Sequence, residues 1–104
     1  MNRIKFKIIE PAELELDDTF EYYEYESIGL GHSFLDEFRK GVKRILAHPY
    51  AWNLIQDNVR KCVLNKFPYT IVYAIEENLI IILAIAHQHR RPDYWIDRLS
   101  DLTF

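Results

Sequence analysis

A chain of 104 residues is sized for one domain with a single core, and 49% hydrophobic with 14% aromatic content excludes a disordered or low-complexity chain. A net charge of −3 excludes a globally basic nucleic-acid binder and leaves only a local basic face open. The lone Cys62 excludes an internal disulfide, and no apolar run suits a signal peptide or a membrane span of ~20 residues, so the expected location is the cytoplasm.

Arg3 to Ile9 alternates Ile4, Phe6 and Ile8 with Lys5 and Lys7, the period of a half-buried strand. Glu10-Pro11 ends it, and Pro11 suits the first turn of a helix. Glu13 to Ser27 reads as that helix, with Leu16, Phe20 and Tyr23 on one stripe. Its other faces hold Glu13, Glu15, Asp17, Asp18, Glu21, Glu24 and Glu26, with no Lys or Arg. Such a run suits a solvated face complementing the helix dipole, or a docking surface for a basic partner.

Gly29 and Gly31 bracket Leu30 and predict a tight turn. Phe34, Phe38, Val42 and Ile45 give a second helical stripe, which Pro49 stops. Arg39, Lys40, Lys43 and Arg44 lie on its outer face. A short connection makes the two helices an antiparallel hairpin. Ion pairing is expected between the acidic face of the first and the basic face of the second.

Tyr50 to Asp57 reads as irregular, tucked onto the core by Trp52 and Ile55. Asn58 to Lys66 alternates Arg60, Cys62 and Leu64 with Lys61, Val63 and Asn65, a second strand. Phe67-Pro68 turns the chain, Tyr69 to Glu76 forms a third strand, and Glu76-Glu77-Asn78 has hairpin chemistry. Leu79 to Ala86, apolar throughout, is the strand expected at the sheet centre. Pro92 prevents further pairing, Tyr94 to Leu99 suits one helical turn, and the tail beyond is expected to fray.

The order predicts an α+β fold: an N-terminal strand, a helical hairpin, then a three-stranded antiparallel meander completing one four-stranded sheet. The expected strand order is 1-4-3-2, with the first strand antiparallel to the fourth. One domain spans residues 1–104. The helices cover one sheet face, and the other is expected to stay open and carry function.

The chemistry concentrates at the end of the apolar strand, in His87, His89, Arg90, Arg91, Tyr94 and Trp95. The arginines offer charge-assisted hydrogen bonds and the two rings offer large anchors. Trp95 also suits a plug that folds back on the core, and Arg98 suits pairing with Asp93, Asp97 or the sheet end. No metal or cofactor is expected, because His48, His87, His89 and Cys62 match no closed ligand spacing. Cys62 within a strand suits a buried inert thiol, and Ser27, Ser33 and Ser100 lack the context of a nucleophile elbow.

Three stretches carry a family resemblance: E-Y-Y-E…G-L-G-H-S-F-L-D-E-F (Glu21 to Phe38), K-F-P-Y-T-I-V-Y (Lys66 to Tyr73), and I-I-I-L-A-I-A-H-Q-H-R-R-P-D-Y-W-I-D-R (Ile80 to Arg98). Together they resemble the RelE/ParE superfamily of bacterial toxins over nearly the whole chain, and the terminal H…R.P.YW pattern is closer to its ParE and plasmid-stabilisation side. The resemblance implies a toxin of a type II toxin–antitoxin system, held inactive by a cognate antitoxin and poisoning DNA gyrase by binding. The binding residues it then suggests are Arg60, Lys66, His87, His89, Arg90, Arg91, Tyr94 and Trp95.

The RelE branch implies the alternative, a ribosome-dependent endoribonuclease acting on mRNA. Metal-free cleavage needs a proton acceptor, cations for the phosphorane charge and a proton for the leaving oxygen. Lys66, His87, Arg90 and Tyr94 are the candidates, with Arg60 as a further phosphate partner and Arg91 as an alternative to Arg90 for stabilising charge. Val63 and Asn65 stand where a dense basic array would want charge, which favours binding over catalysis. A non-toxic remnant or small interaction module is the third reading. The oligomeric state stays open between a homodimer and a toxin–antitoxin hetero-oligomer.

Overall fold

A computed structural model describes residues 5–100 and Leu102. The elements in order are β1 (Lys5–Ile8), α1 (Glu10–Glu26), α2 (Leu30–Ala47), β2 (Asn53–Gln56), β3 (Val59–Val63), β4 (Tyr69–Glu76), β5 (Leu79–His87) and a 3₁₀ turn (Ile96–Leu99). Arg3 and Ile4, the expected start of the first strand, lie outside the described residues, as do Asp101, Thr103 and Phe104 of the expected frayed tail.

The α+β class holds, but the sheet has five strands in the order β1-β5-β4-β3-β2. The added strand is β2, inside the stretch read as irregular. It pairs antiparallel with β3 through the two-residue turn Asp57-Asn58, with Asp57 at φ 42°. Asn and Asp accept this left-handed region more readily than most residues. Four residues with one bulge are too short to show a clear period.

The missed strand also explains a second difference. β1 pairs parallel to β5, from Lys5↔Leu79 to Ile8↔Ile82, and not antiparallel. Each helix or hairpin connection reverses the chain once, so one more strand adds one more reversal. That flips the last strand relative to the first. The remaining pairs are antiparallel, as expected of a meander.

The helical hairpin forms as read. Gly29 supplies the left-handed turn at φ 89° and N-caps α2. Gly31 lies inside α2, not in the turn: a Cβ there would stand 2.6 Å from the Phe20 carbonyl oxygen, so only glycine lets the helices approach this closely. The Gly31 N–H donates to Glu24 Oε1 at 2.9 Å. Backbone donors at Gly29 first, then Gly31 and His32, hold the Glu24 carboxyl below the usual range.

β5 is buried on both faces from Ile80 to Ile85, which places it in the sheet interior. Its alternation breaks once. Val72 pairs with Ala84 and Tyr73 with Ile82, so Leu83 is left unpaired in a β-bulge. Ile80, Ile82 and Ile85 therefore pack under the helices with Phe34, Phe38 and Ile45. Ile81, Leu83 and Ala84 pack on the opposite side with Val59, Val72 and Trp95.

That opposite side is not fully open. Trp95, Leu99 and Leu102 fold over it and form a second core. Trp95 is 1% exposed. It is a plug for the sheet and not a solvent-facing anchor.

The expected pairing of acidic α1 with basic α2 is absent. Among the described residues, no ion pair joins an α1 acid to an α2 base. Arg39 pairs with Asp36 and Lys40 with Glu37, both within α2. The outer faces of the two helices point away from the sheet and not toward each other.

Candidate functional site

The C-terminal segment roofs only part of the sheet, and a groove of about 360 Å³ remains beside it. Its floor comes from Val63 of β3, Thr70 and Val72 of β4, and Ala86 of β5, with Ile55 of β2 at the far edge. Its near wall is Gln88, Arg90, Arg91, Pro92 and Trp95. Strand alternation explains the floor: Cys62 and Ile71 point into the helix-side core, so Lys61, Val63, Thr70 and Val72 face the groove.

The bulge decides the rest. Strict alternation from Ile80 and Ile82 would send Ala84 and Ala86 under the helices. The unpaired Leu83 shifts the phase, so Ala84 and Ala86 turn to the groove side and Ile85 to the helix side. His87 follows Ile85. It borders the groove, but its ring packs edge-on to Tyr69 at 5.0 Å. Tyr69 in turn joins an aromatic cluster with Tyr23 and Phe34.

The groove is apolar below and cationic at its rim. Val63 is 57% exposed on the floor. Lys61 stands on one side and Arg90 and Arg91 on the other, and no Asp or Glu lines it. Ile55, 40% exposed, extends the apolar surface onto β2. Apolar area ringed by one sign of charge suits a partner segment with an apolar face and acidic residues.

A compact turn presents the rim. His87 ends β5, and its Nδ1 accepts the His89 N–H at 3.0 Å while its carbonyl accepts the Arg90 N–H at 3.0 Å. The Arg90 guanidinium lies 3.9 Å from the Tyr94 ring centroid, a cation–π contact that fixes its direction. Arg91 pairs with Asp93 at 3.1 Å in an exposed bridge.

Beneath this turn lies a network that sequence reasoning missed. The Glu15 carboxylate accepts hydrogen bonds from the Ile85 N–H (3.1 Å), the Tyr94 hydroxyl (2.6 Å) and both Arg98 terminal nitrogens (2.9 Å each). Arg98 also donates to the Leu83 carbonyl at 2.7 Å. β1 ends at Ile8, so the outer edge of β5 beyond Ile82 has no strand beside it. Glu15 and Arg98 stand in for that strand at the bulge. Burial first, then the bond to Glu15, pushes the Tyr94 phenol above its ordinary value. The same carboxylate raises Arg98 further. No local signal marks Glu15 in the sequence, because its partners lie 70 to 83 positions away.

Several predicted site residues lie elsewhere. Lys66 sits at φ 71° with its ammonium 3.8 Å from Glu37, in a separate depression of about 420 Å³ beside α2. Arg60 faces the helix side, where it donates to the Tyr50 and Trp52 carbonyls and secures the loop before β2. Tyr94 does not offer a free hydroxyl, since it is bound to Glu15. Arg98 meets the sheet end through Leu83 as one reading had it, but its carboxylate partner is Glu15 and not Asp93 or Asp97. The candidates thus split: His87, Arg90 and Arg91 line the groove with the edge of the buried Trp95, His89 packs its ring beside His87 outside it, and Lys66, Arg60 and Tyr94 do not line it. Lys61 and Thr70 join the groove instead, and the alternation of Lys61 with Cys62 is the signal that placed them.

Cys62 is buried, and burial pushes its thiol up despite Arg44 3.8 Å away. That makes it a packing residue. Among the described residues no group of three or more His, Cys, Asp or Glu side chains is arranged to hold a metal. No helix among them is long and apolar enough to cross a membrane.

Comparison with known proteins adds three findings. A family model described as the ParE toxin of the type II toxin–antitoxin system parDE matches residues 7–92. A solved structure described as the chromosomal ParDE TA system from P. aeruginosa superposes with a TM-score of 0.71 at 19% identity, covering 82% of this chain and 96% of that one. Among curated proteins there is no match.

Proposed function

The chain belongs to the ParE toxin family of type II toxin–antitoxin systems, and on that premise we propose that it acts by binding, with DNA gyrase as target and a cognate antitoxin as neutralising partner. The observation that carries this reading is the scatter of the ribonuclease candidates. Of Lys66, His87, Arg90 and Tyr94, only His87 and Arg90 reach the groove. Lys66 is held at Glu37 on the other side of the sheet, and the Tyr94 proton is committed to Glu15. General acid–base catalysis needs its groups within hydrogen-bond reach of one reacting centre, and these four do not share one.

What the groove offers is recognition. The apolar floor supplies contact area, and Lys61, Arg90 and Arg91 supply direction and attraction for acidic residues. An antitoxin segment seated there would cover the same cations a target needs, so neutralisation follows from occupancy.

The deciding experiment expresses the chain without an antitoxin and follows DNA and mRNA together. Gyrase poisoning produces growth arrest with double-strand breaks, and the purified chain then inhibits supercoiling. Arrest with intact DNA and cleaved mRNA, lost in His87→Ala and Arg90→Ala, would instead establish the ribonuclease. Normal growth would establish the inactive remnant.

A further inference from the structure

The groove lies on one face of the β2–β3 edge, and the opposite face carries a second cluster. On that side α2 packs over β3 and α1 over β5, so the acids of α1 stand over the other half of the sheet. From Arg39 to Lys66 the chain has seven Lys and Arg and one acid, Asp57, so the local field is positive although the whole chain is acidic. The Arg60 guanidinium of β3 lies 5.4 Å from the Tyr50 ring centroid, and that of Arg44 in α2 lies 5.7 Å from the Trp52 ring centroid. Arg60 Nη1 donates to the Tyr50 and Trp52 carbonyls, and Arg44 Nη2 donates to the Val63 carbonyl. These bonds fix both guanidiniums and occupy the nearest backbone acceptors. Among the described residues neither arginine has a carboxylate partner, and Arg44 Nη1 and Arg60 Nη2 make no hydrogen bond. The Nε groups of both and the Trp52 indole N–H are buried without an acceptor. Tyr50 is 66% exposed, and Leu54, opposite Arg60 in the ladder, is 55% exposed. The corner therefore offers donors, a free ring face and apolar area, with no carboxylate to neutralise them.

We propose that this corner binds a single strand of nucleic acid, with phosphates on Arg44 and Arg60 and a base on the face of Tyr50 that Arg60 leaves open. A phosphodiester presents acceptors only, which suits donors that have no acceptor among them. A peptide brings N–H donors as well, and the Tyr50, Trp52 and Val63 carbonyls they would seek are already taken. A duplex hides its base faces, whereas a single strand can lay one on tyrosine. Two arginines make a short site, so binding is weak, with a Kd on the order of 10–100 μM at low salt. The strand lies across the sheet from the groove and leaves it free for a protein partner.

Fluorescence anisotropy with labelled single strands of about 12 nucleotides tests this, in DNA and RNA forms, beside an abasic strand of equal charge and a polyglutamate peptide. The wild type is expected to bind the base-bearing strands more tightly than the abasic one. Neutralising two phosphates of a single strand predicts a slope of about −1.4 in log K against log salt, or about a 7-fold loss for a fourfold rise in salt. Tyr50→Ala is expected to weaken the base-bearing strands at least ~5-fold and the abasic strand not at all, with an unchanged circular dichroism spectrum. Arg44→Gln is expected to bring the slope down by about 0.7. Tyr50-dependent binding of either form supports the proposal, and the tighter form names the strand. No binding, an abasic strand or polyglutamate bound equally well, or a loss in Arg90→Ala/Arg91→Ala with wild-type affinity in Tyr50→Ala would each overturn it. The readout involves neither gyrase nor an antitoxin, so its outcome is independent of the target.

Discussion

The two sides of the sheet are covered in different ways. On one side two helices of 17 and 18 residues supply continuous apolar stripes, and Phe34, Ile45, Ile71, Tyr73 and Ile82 beneath them are essentially inaccessible. On the other, among the described residues, a short C-terminal segment covers Ile81, Leu83 and Ala84 with one large ring, Trp95, and with Leu99 and Leu102. Lys61, Val63 and Thr70 lie in the groove beside that cover. The candidate surface is thus what a minimal cover leaves exposed, and its edge is set by how that cover is anchored. The anchors are the Trp95 plug and the Glu15–Arg98–Tyr94 network.

Removing the plug should have the largest effect. Trp95→Ala is expected to cost about 3–5 kcal/mol, read as a lower midpoint in urea, and to merge the groove with the vacated second core. A change below ~1 kcal/mol would mean that the segment is a loose flap, and the contrast between the two sides would be wrong.

Glu15→Gln comes next. It leaves Arg98 partly buried without its carboxylate, at an expected cost of about 2–3 kcal/mol. The pair is about one-fifth exposed, which keeps the figure below that of a fully buried bridge. The network also has a pH signature. The Tyr94 phenol is raised in the fold, so its contribution is complete below the unfolded value of about 10 and is lost as pH rises past it. Tyr73, pushed up to about 12 by burial and donating to the Pro49 carbonyl, acts in the same direction. Stability should fall above about pH 10, and less steeply in Tyr94→Phe. An equal slope in that variant would remove Tyr94 from the account.

Reversing the rim separates binding from folding. Lys61→Glu with Arg91→Glu is expected to leave stability within about 0.5 kcal/mol while weakening the neutralising partner at least ~10-fold, or about 1.4 kcal/mol. Lys66→Ala is the matched control with the smallest effect, ~0–1 kcal/mol in stability and none in binding. Calorimetry showing the reverse pattern would move the site to the α2 side.

Much of the fold was readable from local pattern. The stripes of α1 and α2, the alternation of β3, and the apolar run of β5 each repeat within a few residues, and each formed where its period placed it. Gly29 was legible because a left-handed residue favours glycine. β2 was not, because four residues ending in Asp57-Asn58 carry too little period, and that one omission reversed the predicted direction of β1. Of the candidate residues, Arg90 and Arg91 line the groove, whereas Lys66 and Arg60, equivalent by type in the sequence, face the helix side.

Residue order was thus sufficient for the element types, the two helices and the interior place of β5, because these follow from side chains a few positions apart competing for water or core. It was not sufficient for the bulge at Leu83 or the role of Glu15, and it left Trp95 open between a plug and an exposed anchor. Those depend on groups that meet only across the folded sheet, 15 positions apart for Arg98 and Leu83 and 70 for Glu15 and Ile85, where a carbonyl and an N–H left without a strand must find partners. Only the assembled sheet creates that need, and meeting it fixes which side of the strand His87, Arg90 and Arg91 finally occupy.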